Sequence, residues 1–316
     1  MNIIGLDELV FGVEDVAGCT QFLTDYGLTP VDVTDAGGRF EALDGTAVVI
    51  AHQDDPALPE KTLPNCQLRK TVMAVASHDD LDAVANELSK DRDVKRLQDG
   101  SIESIDDCGF VIGFQISVRR PIEVVGELAN APGAAYQRPV NHTAVNIEAD
   151  IKPKTLSHVV YFVPDVAKAE AFYAERLGFR CTDRFADVGP FMQPAGTLDH
   201  HTHFFISAPP QIQGVEHFTF HFAGPTEVLQ NGSRFVEKGY QAFWGPGRHV
   251  FGSNWFWYFN SPFGCHIEMD ADMDLHDENW SPRSANISAD ASQAFLTQHR
   301  KKWFPGPGAP KNGDYA

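Results

Sequence analysis

Two histidines and one glutamate are the residues of this sequence best suited to chemistry, because each lies within a separate apolar run. His158 lies in the run 157–163, His217 in the run 216–220, and Glu268 in the run 266–269. Two imidazoles and one carboxylate can hold a ferrous ion while leaving coordination positions open. Open positions allow both a substrate and dioxygen to reach the metal, so the sequence indicates oxygen activation.

The elements that must position these residues can be predicted from periodicity and turn signals. We expect strands near 156–163, 179–186, 202–207, 216–223, 241–248, 254–260 and 265–270, with helices at 166–177 and 226–238. A lone histidine in a strand is usually structural or exposed. A carboxylate among apolar strand neighbours, however, is unfavourable unless it is paired or bound to a metal. Three such residues in one module favour a metal-binding site over separate structural roles.

An internal repeat defines the organisation of the chain. Residues 6–17 align with 156–167, and each copy continues into an amphipathic helix that begins after an aspartate, Asp15 or Asp165, and ends near a glycine. The sequence therefore predicts an α+β fold of tandem βαβββ modules, each with a curved mixed sheet. The predicted divisions are an N-terminal non-catalytic domain at 1–125, a connector at 126–153, a catalytic domain at 154–272, and a tail at 273–316 with a helix near 288–301.

The first copy lacks the metal-ligating residues of the second. Glu8 takes the place of His158, Lys70 falls near the place of His217, and Gly113 falls near that of Glu268. A lysine ammonium group has no lone pair to give a metal. We therefore expect the metal site in the C-terminal domain alone.

Bulk properties narrow the class of partner. The 316-residue chain carries a net charge of −18, which disfavours nucleic acid and anionic membranes as partners. Its five cysteines form no CxxC pair, so a disulfide framework is not expected. No signal peptide and no apolar run of membrane-spanning length is evident. These features indicate a cytoplasmic protein that acts on a small molecule.

The second module resembles a known family across 155–271. The motifs that carry the resemblance are Leu-Ser-His at 156–158, Asp-His-His-Thr at 199–202, Glu-His-Phe at 216–218, Gly-Arg-His at 247–249, and Tyr258 followed by 262–268. In these motifs the module resembles the catalytic domain of the type I extradiol ring-cleavage dioxygenases, members of the vicinal-oxygen-chelate (glyoxalase–bleomycin-resistance–dioxygenase) superfamily. The first module more weakly resembles the non-catalytic domain of that family.

The resemblance implies a role for six residues. His158, His217 and Glu268 match the ligands of Fe(II), with Mn(II) as an alternative ion. His201 matches an acid/base residue, and His249 and Tyr258 match groups that hydrogen-bond the bound diol. An imidazole suits the acid/base task, because a catechol must lose protons to chelate a metal. The implied activity is cleavage of a substituted catechol or hydroxyquinol by O2, beside its hydroxyls, in aromatic-compound catabolism by a homo-oligomer.

Other interpretations of these residues stay open at this point. His201 could be a solvated loop residue, His249 could end a turn-rich stretch, and Tyr258 could belong to the core. His200, His203 and His221 read as supporting groups, and His266 as a neighbour of Glu268 in its strand. A non-redox isomerase or lyase would need the three ligands without His201, His249 and Tyr258 together. A small-molecule-sequestering protein would need no acid/base histidine.

Overall fold

The computed structural model describes residues 1–297, which form two modules, each built on one mixed β-sheet. The first module comprises β1 (Ile3–Val13), α1 (Val16–Tyr26), β2 (Thr29–Thr34), β3 (Gly37–Glu41), β4 (Ala47–His52), β5 (Leu68–Val75), α2 (His78–Leu88), β6 (Lys95–Arg96), β7 (Ile102–Ile105) and β8 (Val111–Ile116). Its eight strands have the order β2-β3-β4-β1-β5-β8-β7-β6. Each half of this sheet is one βαβββ unit, and the two halves meet at the antiparallel pair β1–β5.

The second module repeats this plan and extends it. It comprises β9 (Thr155–Val163), α3 (Val166–Ala171), β10 (Arg180–Phe185), β11 (Gly189–Gln193), β12 (His203–Ser207), β13 (Gly214–His221), α4 (Pro225–Glu237), β14 (Ala242–His249), β15 (Trp255–Asn260), β16 (His266–Ala271), β17 (Arg283–Ala285), α5 (Ala289–Ser292) and β18 (Gln293–Leu296). The strand order is β17-β10-β11-β12-β9-β13-β16-β15-β14-β18. The predicted α+β fold of tandem modules is confirmed.

The equivalent helices α1 and α3 begin in the same way. The side chain of Asp15 accepts a hydrogen bond from the amide of Gly18, and that of Asp165 accepts one from Lys168. Such caps satisfy amides that have no partner within the helix. Helix α1 ends at Gly27, whose φ of 113° favours glycine. No helix within residues 1–297 is long and apolar enough to cross a bilayer.

The two modules pack against each other through aromatic side chains. Phe22 of α1 meets Phe235 of α4 edge to face, with ring centroids 5.2 Å apart. Tyr26, which is fully buried, donates a hydrogen bond of 2.6 Å to the main-chain carbonyl of Glu268. The first module thus supports the strand that carries a predicted metal ligand.

Three details differ from the sequence-based expectations. Strand β11 was not predicted, and the helix predicted at 166–177 is α-helical only to Ala171, continuing as a π-helical turn over Phe172–Arg176. The helix predicted near 288–301 was wrong beyond α5, since Gln293–Leu296 form β18, and 298–301 lie outside the described residues. The pairing of β18 with the edge strand β14 satisfies backbone groups that a longer helix would have left exposed.

Candidate metal centre and active site

The three predicted ligands lie on neighbouring strands of the second sheet. Thr219 on β13 pairs with His158 on β9 and with Glu268 on β16, while His217 lies two residues away on β13. All three ligand side chains are buried, and one potential ligand atom of each lies within 4.8 Å of those of the other two. The sheet therefore brings together residues that are far apart in the chain.

The donor atoms are arranged as a metal site requires. The carboxylate Oε2 of Glu268 lies 3.0 Å from Nε2 of His158 and 3.5 Å from Nε2 of His217. The other oxygen, Oε1, is buried without a hydrogen-bond partner. Burial alone would raise the pKa of Glu268, but the adjacent imidazoles hold it well below its usual range. An ionised, buried carboxylate with a free oxygen suits a cation.

Hydrogen bonds orient both histidine ligands. Nδ1 of His158 bonds to the hydroxyl of Ser157 at 2.8 Å, and Nδ1 of His217 bonds to the carboxylate of Glu216. Each Nε2 is therefore left to face the metal position, an arrangement usual around metal-binding histidines. Glu216 also accepts from His266 at 2.9 Å, so His266 supports the site through Glu216.

Glu216 was missed in the sequence because strand alternation places it on the opposite face from His217. The pairing of β13 with β9 shifts register between Val215 and His217, so Glu216 lies in a β-bulge. Bulges are common beside active sites, where they redirect a side chain. Desolvation would raise the pKa of the half-buried Glu216, but His217 and His266 lower its pKa to about 2.

His201 lies directly against the ligand set. Its ring centroid is 4.3 Å from that of His158, and it is buried. Burial, together with the neighbouring imidazole of His158, lowers the pKa of His201 well below its usual range. The ring is therefore neutral, with one nitrogen that accepts a hydrogen bond.

His249 and Tyr258 form a hydrogen-bonded pair on the other side of the site. Nε2 of His249 lies 3.2 Å from the hydroxyl of Tyr258. Nδ1 of His249 lies 3.0 Å from the carbonyl of Ser292, to which it donates, so Nε2 accepts from Tyr258. Burial raises the pKa of Tyr258 well above its ordinary value, so its hydroxyl keeps the proton that it donates.

The remaining histidines of the module have supporting positions. His221 bonds to Asp270 at 2.7 Å, and His203 is packed among aromatic rings, including that of Tyr161. His200 lies behind His201, with its Nε2 2.8 Å from the carboxylate of Asp183. None of these three lies within the ligand set.

A cavity of about 250 Å³ opens beside the ligands. His158 and His217 line it together with His201, His249 and Tyr258. The structure thus brings the five predicted histidine and tyrosine side chains to one cavity, with Glu268 bonded to His158 behind it. Most of the remaining lining is apolar and aromatic.

The family model of the Glyoxalase/Bleomycin resistance protein/Dioxygenase superfamily matches residues 155–269, which span the sheet that carries the predicted ligands. Metapyrocatechase 2 of Cupriavidus necator is 39% identical over 124 residues, which are 39% of this chain and 38% of that protein. The match therefore spans about two fifths of the relative's length.

Two solved structures share the fold over almost the entire chain. A Mn(II)-bound glyoxalase from Novosphingobium aromaticivorans superposes with a TM-score of 0.73 at 19% identity, covering 98% of this chain and 97% of that one. BphC, a halotolerant catechol dioxygenase, gives a TM-score of 0.71 at 15% identity, covering 94% of each chain. At these identities the likeness establishes the vicinal-oxygen-chelate fold.

Proposed function

We propose that the protein is an Fe(II)-dependent extradiol dioxygenase that opens the ring of a catechol beside its hydroxyls. The observation that carries the proposal is the convergence of a two-histidine, one-glutamate ligand set with a neutral acid/base histidine and a histidine–tyrosine pair on one cavity. Metapyrocatechase 2 is 39% identical to this chain over 124 residues, which supports this choice. A non-redox isomerase or lyase would not require the acid/base histidine and the histidine–tyrosine pair beside the ligand set.

His158, His217 and Glu268 would hold the metal, and a ferrous ion would supply the redox chemistry that a closed-shell ion such as zinc does not offer. His201 takes a proton from a catechol hydroxyl and returns it while dioxygen is reduced. A positioned imidazole in this role typically contributes about 10²- to 10⁴-fold to the rate. The hydroxyl of Tyr258 donates its proton to Nε2 of His249, and its oxygen would accept a hydrogen bond from a hydroxyl of the substrate.

The test is metal reconstitution without oxygen, followed by an oxygen-electrode assay. Apoprotein loaded with Fe(II), Mn(II) or Zn(II) is mixed with a substituted catechol, and oxygen uptake and ring opening are followed together. We expect one O2 consumed for each ring opened, with both atoms of labelled dioxygen in the product. Fe(II) should support turnover and Mn(II) is the expected substitute.

The other outcomes distinguish the rival functions. Turnover of the substrate without oxygen uptake, or activity with zinc alone, would favour an isomerase or lyase that uses the metal as a Lewis acid. Tight binding of a catechol with no reaction in any metal form would favour sequestration. Either result would contradict the proposed oxygenase activity.

A further inference from the structure

The cavity has an apolar wall that is not part of the main hydrophobic core. Five buried side chains form a separate cluster, Val160, Phe185, Phe191, Phe204 and Phe251, and all five line the cavity. Phe191 and Phe204 are stacked, with centroids 4.0 Å apart. A wall of this kind presents apolar surface that a ligand can cover.

Charge in the cavity is distributed unfavourably for an anionic substrate. Its lining within residues 1–297 contains no lysine or arginine, and it includes the carboxylate of Glu216. The nearby guanidinium group of Arg283 lies behind the wall, over the ring of Phe251, and is already paired with Asp183. A carboxylate on the substrate would therefore be buried without a cationic partner.

From this wall and this charge pattern, we infer that the substrate is a catechol with an uncharged, apolar ring substituent that lies against Phe191, Phe204 and Phe251. The inference rests on the proposed dioxygenase function. An apolar cavity of about 150 Å³ accommodates benzene. The cavity of about 250 Å³ thus leaves about 100 Å³ beyond one ring for a substituent.

The experiment compares kcat/KM for catechol, alkylcatechols of increasing chain length, and carboxylated catechols such as 3,4-dihydroxyphenylacetate. We expect a gain of about fourfold for each added CH2 until the cavity is full. Carboxylated catechols should be about 100-fold poorer than alkyl ones of similar size. A preference for the carboxylated substrates would overturn the inference, whereas no cleavage of any catechol would instead overturn the proposed function.

A matched pair of variants tests the charge of the cavity lining. Ile287 lines the cavity and is 50% exposed, while Ile212 lies outside it and is 52% exposed. Ile287→Lys should raise kcat/KM for carboxylated substrates, relative to kcat/KM for alkyl substrates, by about tenfold, because the lysine supplies a cation. Ile212→Lys should leave the ratio unchanged. Equal ratios in both variants and the wild type would contradict the assignment of the substituent to this cavity.

A second observation concerns the residues behind His201. Nδ1 of His201 lies 3.0 Å from Nδ1 of His200, whose Nε2 lies 2.8 Å from Oδ2 of Asp183. Asp183 in turn accepts hydrogen bonds from the main-chain and side-chain N–H groups of Arg283. His200 and Asp183 are completely buried, and Arg283 belongs to the tail strand β17.

In this series of hydrogen bonds, the last residue, Asp183, determines which atoms donate and which accept. Asp183, paired with a guanidinium group, can only accept, so Nε2 of His200 must carry a proton. Nδ1 of neutral His200 is then an acceptor, and Nδ1 of His201 must donate to it. We infer that Asp183 is a positioning residue that fixes the tautomer of His201, leaving Nε2 of His201 as the basic atom.

The variant Asp183→Asn tests this inference, since it changes the pattern of donors without changing size. The carbonyl of the asparagine side chain should face the main-chain N–H and Nε of Arg283. The NH2 group of the asparagine would then donate to His200 and reverse the tautomers of His200 and His201. We expect kcat to fall at least about 100-fold, as reversing the tautomer of a catalytic imidazole can cost about 10⁴-fold. Metal content and anaerobic catechol affinity should stay within about twofold of wild type.

Two further variants separate a tautomer effect from a packing effect. Asp183→Glu restores a carboxylate and should recover at least about tenfold of the lost kcat, although glutamate fits the space less well than asparagine. Asp187→Asn is the control, since Asp187 is exposed and caps the amide of Ile287 in the same tail without contacting His200. If the wild type is active and Asp183→Asn retains its kcat, or if Asp183→Glu is worse than Asp183→Asn, the inference is wrong.

Discussion

The two modules share the register of their central strands but differ in what those strands carry. The positions that correspond by register are Glu8 and His158, Lys70 and His217, and Gly113 and Glu268. Val72 pairs with the first and third of these positions in one module, as Thr219 does in the other. The correspondence that the sequence repeat suggested is therefore confirmed by strand pairing.

In the first module, ion pairs fill the space where the second module has its ligands. Glu8 pairs with Arg39, and Lys70 lies 3.5 Å from Glu103. A Cβ added at Gly113 would lie 3.3 Å from the side chain of Lys70, so the lysine occupies part of the space for a larger residue. The comparison teaches that the fold supplies the positions, while the side chains alone decide whether a metal can bind there.

The largest expected effect is the loss of the metal from the second module. Glu268→Gln replaces a carboxylate donor by a weak neutral one and should abolish both iron binding and turnover, as should His217→Ala, in folded chains. Glu8→Gln makes the same chemical change at the corresponding position of the first module and should alter neither. Metal analysis by mass spectrometry checks this. Full iron occupancy in Glu268→Gln would show that the ligand assignment is wrong.

The next effect separates binding from chemistry within the second module. His201→Asn should keep its iron and keep catechol affinity within about tenfold, because the ligand set is complete without His201. Turnover should fall by about 10²- to 10⁴-fold. Anaerobic titration with catechol, followed by stopped-flow mixing with dioxygen, measures both quantities. Loss of iron would make His201 a ligand, and wild-type turnover would make it a bystander.

A third prediction concerns the support that the first module gives to the second. Asp106 is buried and accepts a hydrogen bond of 3.2 Å from the hydroxyl of Tyr173 of the second module. Burial raises the pKa of Asp106 from 3.8 to about 6. Since the folded state holds this proton more tightly than the unfolded state, the contribution of Asp106 to stability falls as pH rises from about 4 to about 6.

The variant Asp106→Asn removes this titration. The free energy of unfolding of the variant minus that of the wild type should therefore rise by about 2 kcal/mol between pH 4 and pH 7, slightly less than the full pKa shift because the unfolded carboxyl is already partly ionised at pH 4. Urea unfolding at the two pH values measures the difference. A pH-independent difference between variant and wild type would contradict the burial argument.

The smallest expected effect comes from the histidine–tyrosine pair. Tyr258→Phe removes one hydrogen-bond donor and should lower kcat about tenfold, with little change in metal content. Glu103 holds the corresponding position of the first module, as its pairing with Gly113 matches that of Tyr258 with Glu268. Glu103→Gln should leave kcat unchanged. An equal loss in both variants would point to general destabilisation instead.

The sequence predicted the fold and the ligand positions because both depend on local patterns. Periodicity placed His158, His217 and Glu268 in three strands of one module, and the family resemblance implied that they share a metal ion. Glu216 could not be placed, since a bulge reverses the face that alternation assigns to it. Turn signals alone also did not reveal the short strand β11.

The contribution of the tail could not be predicted, because it depends on contacts between distant segments. Asp183 and Arg283 are 100 residues apart, and their contact exists only because β17 pairs with β10. Ser292 likewise reaches His249 only because β18 adds to the edge of β14. Periodicity within the tail carried no sign of either pairing.

The central claim is that one module of the two carries a functional iron site. Its most direct test is the ratio of ferrous ion to chain in protein reconstituted without oxygen and then freed of loosely bound metal, measured alongside oxygen uptake with an alkylcatechol. We predict one iron for each chain, with turnover proportional to iron content. A ratio near two, or turnover that does not depend on iron, would contradict the account.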